Sequence, residues 1–466
     1  MEDRQPRLRI RSFAVIWLSK VLGWLSRVLG RGGGAALPGL VAERADPELL
    51  TRLGRRLRSG SIVVTGTNGK TTTTKMIQEV LHQEGYRVIT NDTGSNLSRG
   101  VLSTLIQAVR WRGSFAPAIG LFELDEASMP AVCRALRPQA VVVLSLFRDQ
   151  LDRYGEVDTT AKLLGTALDG LDAEVYLNAD DPLVASLARY VPPRKLGQPA
   201  NVHYFGIEDA RTQKLAHDLA ADSDHCPSCG AALVFRRVYF GHVGHYACPT
   251  GDFARPDPGT TVTSFEPGRP FEVAQPAERA TLALPLPGLY NAYNALAATA
   301  LLTGMGIELR RVTDHLSRTR AAFGRFEQLQ VDGRDVVLLL VKNPTGFNQV
   351  IQTFLVDGTP HSLMIAINDD YADGRDVSWL WDVAIEDLVG QDHRITASGT
   401  RATDLALRAK YSGQTAVVEE DLERAFDLAV ADAQPGETVY VLPTYTAMLQ
   451  LRARLQRRSL VRGRWQ

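Results

Sequence analysis

Between residues 61 and 442 the chain alternates short, nearly unbroken apolar runs with longer stretches whose apolar residues recur at helical spacing. The runs at 61–65, 87–91, 118–123, 140–145 and 175–178 lack the polar alternation of a half-exposed strand, so they predict strands buried on both faces. Strand and helix in that order imply a parallel sheet covered by helices on both sides. Helical spacing returns at 290–303. A second series, with strands near 336–341, 362–367, 394–398 and 438–442, predicts a separate C-terminal α/β domain. Between 225 and 258 the pattern dissolves into Cys, His, Gly and Pro among aromatic residues, as in a small insertion with a staple of its own. The expected organisation is an N-terminal helix and lead-in (1–55), a central α/β domain (56–322) interrupted by the insertion (222–258), and a C-terminal domain (323–466).

Residues 10–29 carry a different pattern. Ile10, Ala14, Trp17, Leu18, Val21, Trp24, Leu25 and Val28 fall on one helical face, with Ser19, Lys20, Ser26 and Arg27 opposite, which predicts an amphipathic helix ended by the glycine-rich stretch 30–34. Arg4, Arg7, Arg9 and Arg11 stand at its start and no small-residue cleavage site follows, so it does not read as a signal peptide. Two settings fit the apolar face: packing on its own domain, or resting on an anionic membrane surface.

At 466 residues and 45% hydrophobic, the chain is too long for one core and too apolar for disorder. Lys plus Arg equals Asp plus Glu at 52 each, so no overall field draws it to nucleic acid, and an anionic ligand must be held locally. Four cysteines give no disulfide framework and no apolar run is long enough to span a membrane, which predicts a protein of the reducing cytoplasm.

The strongest chemical signal is Gly66-Thr67-Asn68-Gly69-Lys70-Thr71-Thr72, between a strand and a helix. The glycines permit a tight turn whose N–H groups point inward, and the helix N-terminus adds positive potential, so the loop suits a triphosphate. Lys70 would reach the outer phosphates and Thr71 would ligate magnesium. The spacing is two residues shorter than the general phosphate-loop pattern. Acidic stretches follow later strands, at Glu123-Leu124-Asp125-Glu126, Arg148-Asp149-Gln150-Leu151-Asp152-Arg153 and Asn178-Ala179-Asp180-Asp181-Pro182. Ligands of parallel sheets bind beyond the strands' carboxyl ends, and Glu123 is a reasonable magnesium partner for Thr71. Taken alone, each stretch also reads as a solvated loop or helix cap.

The set GTNGKTTT, ELDEAS, FRDQLDRYGE, LNADDP and YNAYNALAA resembles the Mur ligase superfamily, whose members join amino acids to peptidoglycan precursors or glutamates to folate. DQLD, the cysteine insertion and NDDYADGRDVSWLWD are most similar to the MurT-like subunits of lipid II isoglutaminyl synthases. The resemblance implies a Mur ligase-like P-loop parallel-sheet central domain with a small cysteine-containing ribbon insertion, plus a Rossmann-like C-terminal domain. It implies ATP and Mg2+, phosphorylation of the α-carboxylate of D-glutamate in the lipid II stem peptide, and displacement of phosphate by ammonia. The ammonia would come from a GatD-type glutaminase partner, with Asp376 completing that partner's Cys-His triad. It further places Gly66, Asn68, Gly69, Lys70, Thr71 and Thr72 around the phosphates, Glu123 at magnesium, and Asn294, with Asn291 a weaker candidate, at the adenine. Gln150 stands where many relatives carry a metal-site histidine, and Lys162 is the candidate for their carbamylated lysine. Thr93, Asn96, Lys342 and Asn343 are candidates for holding the stem peptide.

Cys226-Pro227-Ser228-Cys229 followed by Cys248 resembles a zinc ribbon short of one ligand, because Cys248-Pro249-Thr250-Gly251 lacks its second cysteine. His225, His242, His245 or Asp252 could complete it. Zinc with a substituted ligand, zinc held weakly, and a ribbon without metal stay open. Two other functions fit parts of the pattern: a ligase adding a whole amino acid, of the folylpolyglutamate or tripeptide type, and a P-loop nucleotide module with a zinc ribbon for nucleic acid. The DGRD segment speaks against the first and the balanced charge against the second.

Overall fold

The computed structural model describes residues 8–28, 37–91, 95–110, 113–149, 156–193, 201–212, 222–319 and 326–461, and elements are numbered over those residues. Three helices lead in: α1 (Ile10–Val28), α2 (Leu37–Ala45) and α3 (Leu49–Gly54). The first sheet is built from β1 (Ser61–Thr65), β2 (Val88–Thr90), β3 (Ile119–Glu123), β4 (Ala140–Val143), β5 (Glu174–Asn178) and β6 (Val202–Ile207), joined by β9 (Thr260–Ser264), β10 (Phe271–Ala274) and β11 (Arg279–Leu282). Its order is β11-β10-β9-β6-β5-β4-β1-β3-β2. From β1 the chain fills one side with β2 and β3 and then returns to the other with β4, so the carboxyl end of β1 lies at a switch point, where parallel sheets open a crevice for ligands.

Every residue of β1 and β4 is buried, as the unbroken apolar runs require. Val63 faces one core, packed with α5 (Ser98–Ala108), α6 (Met129–Leu136) and α7 (Val157–Leu168). Ile62 and Val64 face the other, filled by α4 (Lys70–Gln83), α9 (Leu289–Gly304) and α10 (Leu309–Leu316). The intervening α8 (Pro182–Ser186) caps the end of β5. The sheet is parallel through β9, as expected, and β10 and β11 extend it as an antiparallel edge. These edge strands are short and mix Thr, Glu and Arg with a few apolar residues, a half-exposed pattern too brief to stand out.

The second sheet runs β12-β13-β17-β14-β15-β16, comprising β12 (Glu327–Val331), β13 (Arg334–Leu338), β14 (Ser362–Ala366), β15 (Arg394–Ser398), β16 (Ala416–Val418) and β17 (Thr438–Pro443). It is parallel except for the β12–β13 hairpin, and is flanked by α11 (Pro344–Phe354), α12 (Ala402–Tyr411), α13 (Leu422–Asp432) and α14 (Tyr445–Arg457). The expected boundary at 322/323 falls outside the described residues. The insertion is a separate hairpin of β7 (Val234–Phe240) and β8 (Val243–Ala247).

The N-terminal helix forms where its periodicity places it but packs the other way round. Ser12, Val15, Ile16, Ser19 and Gly23 are buried, whereas Ile10, Ala14, Trp17, Leu18, Val21, Trp24 and Leu25 are exposed. The helix does pack on its own domain, but through the face opposite its large apolar residues. Small and polar residues allow the close approach: Ser12 Oγ donates to Asp46 Oδ2 at 2.7 Å within a buried cluster completed by Arg52, and Lys20 Nζ donates to the carbonyls of Gln107 and Val109 at the end of α5.

Candidate functional site

The loop after β1 turns through Gly66 and Gly69, both at positive φ (124° and 86°), before α4 begins at Lys70. A Cβ on Gly69 would lie 2.1 Å from Asn294 Oδ1, so a side chain there would drive α9 off the loop. Thr67 latches the loop to the end of β4, its N–H donating to Ser145 O at 2.7 Å while its hydroxyl bridges the carbonyl and N–H of Phe147. Lys70 is buried, and its Nζ donates to Gly66 O at 2.5 Å and to Glu126 Oε1 at 3.0 Å. Burial alone would lower the Lys70 ammonium; Glu126 and then Glu123 outweigh that and raise it, so the residue is charged at neutral pH.

Glu123 ends β3, with its backbone N–H and carbonyl both clasped by the Asn91 amide. Asp125 caps the short turn that carries Glu126. Three carboxylates therefore face the lysine and the start of α4, a setting suited to a hard cation beside a triphosphate. Glu126 as the direct partner of Lys70 went unassigned in the sequence, although its place among three acids in four residues was a usable signal. On the other side of the loop, Thr73 Oγ1 donates to Asn294 Oδ1 at 3.3 Å and Asn294 Nδ2 to Asn291 Oδ1 at 3.2 Å. Gly69, Thr72, Asn291 and Asn294 border a cavity walled by Phe147, Phe240, Tyr290, Tyr293 and Phe326, with polar groups at the phosphate end and rings beyond, as a nucleobase requires.

The C-terminal domain closes over this loop. Asn68 and Asn343 exchange amide hydrogen bonds of 3.2 and 3.1 Å, while Asn343 Oδ1 also accepts from Gly346 N as the cap of α11. Lys342 Nζ donates to Thr67 O at 3.1 Å and pairs with Asp149 Oδ2 at 2.5 Å. Both residues thus sit on the phosphate loop, which tells against holding the stem peptide as their first duty. Of the other candidates for that duty, Asn96 gives its carbonyl to Asp125 N, and Thr93 lies outside the described residues. Gln150 does too, and Lys162 is exposed on α7.

Asp376 occupies the opposite kind of setting. It is exposed, its Oδ1 accepts from Ser378 N at 2.8 Å, and the Ser378 hydroxyl and then that backbone N–H hold its carboxyl below the usual range. The turn is fixed from below by buried Asp373, which accepts from Thr446 N at 2.8 Å. Tyr371, Trp381 and Tyr411 stand exposed in the same domain, Trp381 resting 5.7 Å from the Arg408 guanidinium and 5.6 Å from the Tyr411 ring. Arg148, next to Phe147, reaches Asp382 of the Ser378–Asp382 turn at 3.5 Å and so ties the Asp376 segment to the phosphate-loop side.

The acidic pair after β5 is scaffold rather than solvated loop. Asp180 is buried against Arg255 of the insertion and Tyr293 of α9, at 2.5 and 2.6 Å, and burial raises its carboxyl despite those partners. Asp181 caps α8 and accepts from Leu146 N.

In the insertion, the sulfurs of Cys226, Cys229 and Cys248 lie within 4.8 Å of one another. They can supply three corners of a tetrahedral thiolate site. Thr250 Oγ1 stands 2.8 Å from both Cys248 Sγ and Asp252 Oδ2, so its one proton serves either the sulfur or the carboxylate, and the carboxylate approaches the cluster through the hydroxyl. The Thr250 hydroxyl outweighs burial and brings the Cys248 thiol down to about 7. None of the candidate histidines joins the cluster: His242 is buried beside Asp181 and Phe147, His245 bonds Ile207 O, and His225 pairs with Asp224.

Two family profiles match the chain: the Mur ligase middle domain over residues 64–232 and the MurT ligase C-terminal domain over 340–448. The lipid II isoglutaminyl synthase (glutamine-hydrolyzing) subunit MurT of Streptococcus pneumoniae is 33% identical, covering 93% of this chain and 95% of the relative. The subunit of the same name from Staphylococcus aureus strain COL is 30% identical, covering 96% and 98%. Among solved structures, a pseudomurein peptide ligase type C from Methanothermus fervidus superposes with a TM-score of 0.70 at 20% identity, covering 87% of this chain and 80% of that one. MurF from Acinetobacter baumannii gives 0.61 at 18%, covering 88% and 80%. At those identities the two structures speak for the fold alone.

Proposed function

Because the chain belongs to the MurT family of the Mur ligase superfamily, we propose that it is the ligase subunit of a lipid II isoglutaminyl synthase. It is an ATP-dependent ligase of peptidoglycan synthesis, with ATP and Mg2+ as the family's cofactors. The phosphate loop, with Lys70, would hold the triphosphate, and Thr71, Glu123 and Glu126 surround the place for magnesium. An oxygen of the D-glutamate α-carboxylate attacks the γ-phosphorus and ADP leaves; ammonia then attacks the carbonyl carbon and phosphate leaves. The demand on the protein is positioning and neutralisation of charge, which a buried lysine, a metal and loop N–H groups supply without a nucleophilic side chain.

Asp376 is the observation that carries the amidating reading over amino-acid addition. An ionised, outward-facing carboxylate on a braced turn is suited to orient an imidazole arriving on another chain, and the exposed Tyr371, Trp381 and Tyr411 offer aromatic anchors for such a partner. That partner would be a GatD-type glutaminase. The subunit would work in the cytoplasm, at the inner face of the membrane that holds lipid II. The thiol cluster would hold a structural zinc with three thiolates, its fourth corner filled from the Thr250–Asp252 side. The purified chain with ATP, magnesium and lipid II should form amide with ammonium salt and none with free amino acids. Ligation of an amino acid in its place would replace this reading with that of an amino-acid-adding ligase.

A further inference from the structure

Helix α1 carries a stripe of large apolar side chains that face solvent over much of their area. Trp17, Trp24, Leu18, Val21 and Ile10 are 48%, 57%, 52%, 46% and 90% exposed. At about 100° per residue these positions share a face about 120° wide, while Ser12, Val15, Ile16, Ser19 and Gly23, the residues that attach the helix, lie opposite. The attaching face sets Ser12, Ser19 and Gly23 beside the core residues Val15 and Ile16, yet two tryptophans and three aliphatic side chains still point outward, more exposed apolar surface than an ordinary surface helix carries.

The charges around the stripe say what kind. Arg9 and Arg11 are exposed and fall on opposite flanks of it, and the helix contains no Asp or Glu, in a chain whose charges otherwise balance. Tryptophan at the boundary between apolar and polar surface, with arginine alongside, matches the headgroup zone of an anionic bilayer. Among the described residues no helix is long and apolar enough to cross a membrane, so the contact is one of lying on the surface. We infer that the outward face of α1 is a docking surface for an anionic lipid bilayer, which it meets with Trp17 and Trp24 in the interface and Arg9 and Arg11 toward the headgroups. The inference rests on the lipid-linked substrate proposed above and adds a placement: Lys20 ties α1 to the end of α5, and α5 starts two residues after Asn96, whose carbonyl holds Asp125. One helix of 11 residues, about 16 Å, thus spans from the membrane-facing helix to the acids around Lys70.

The test is flotation of the full chain, alone and with its glutaminase, on vesicles of phosphatidylcholine with and without phosphatidylglycerol. Wild type should float with the anionic vesicles and remain behind with the neutral ones. Trp17→Glu with Trp24→Glu should reduce partitioning by about tenfold or more, and Arg9→Glu with Arg11→Glu by about tenfold on anionic vesicles. These side chains are exposed, so circular dichroism and amidation of a water-soluble stem-peptide substrate should be unchanged. Equal flotation of wild type and the tryptophan variant, or none by wild type, would overturn the inference. So would a concentration-dependent dimer, or masking by the glutaminase, that the tryptophan variant abolishes without any vesicle binding. Flotation needs no turnover, so a failure of the amidation reading and a failure of this one register separately.

Discussion

Lys70 and Asp376 are charged residues in opposite circumstances. Lys70 is enclosed by Gly66, Thr67 and Glu126, on a loop held by Ser145, Phe147, Asn294 and Asn343 from three other parts of the chain. Asp376 faces solvent, held by Ser378 two residues on, and its turn is well supported. A site that works within its own chain can be built complete and dry. A side chain that serves another chain must be rigid from behind and open in front. The contrast separates what this subunit would do by itself from what it would lend.

The variants that break this contrast most sharply come first. Lys70→Ala should reduce amidation by at least about 10³-fold whether ammonia is supplied as salt or from glutamine, because the outer phosphates lose their fixed charge. A turnover assay with both nitrogen sources checks it. Asp376→Asn should cut glutamine-supported turnover by on the order of 10²–10⁴-fold while leaving ammonium-supported turnover and assembly with the partner intact. Asparagine still accepts from Ser378 N, so denaturant unfolding should change by less than about 0.5 kcal/mol. Equal loss with both sources would make Asp376 part of the inner site and dissolve the distinction.

Asn343→Ala sharpens the comparison at the seam between the two regions. It removes the cap of α11 and leaves the buried side of Asn68 without its partner, which should lower stability by about 1–2 kcal/mol and slow turnover about tenfold with either nitrogen source. Urea unfolding and steady-state rates measure the two effects. The smallest change is expected at the thiol cluster, which contacts neither site. Thiolate absorbance of the metal-free protein should rise through about pH 7 as Cys248 loses its proton. Thr250→Val should move that midpoint toward the ordinary thiol value, with amidation barely altered. Metal affinity, read with cobalt, should fall as pH drops below 7, because protons compete for the sulfur.

The parts of this architecture that could be read from sequence are contiguous. Strand, glycines, lysine, hydroxyls and helix follow one another from Ser61 to Gln83, and each carries its own local signal. The partners that complete the loop are not: Glu126 lies 56 residues from Lys70, and Asn343 lies 275 from Asn68. Periodicity located α1 but not its orientation, because the pattern shows which face is apolar without showing that Asp46 and Arg52 would bury the serine side. The antiparallel edge of the first sheet escaped for a related reason: β9 to β11 depend on pairing with one another more than on any apolar run of their own.

Lys70 is paired with Glu126 across an enclosed contact of 3.0 Å. An incoming polyphosphate must trade one enclosed ion pair for another, and the carboxylate it displaces is left beside three more anionic oxygens. A divalent ion settles both at once. Nucleotide and magnesium should therefore enter as a single cargo, and calorimetric titration with ATP should lose most of its heat when the metal is chelated.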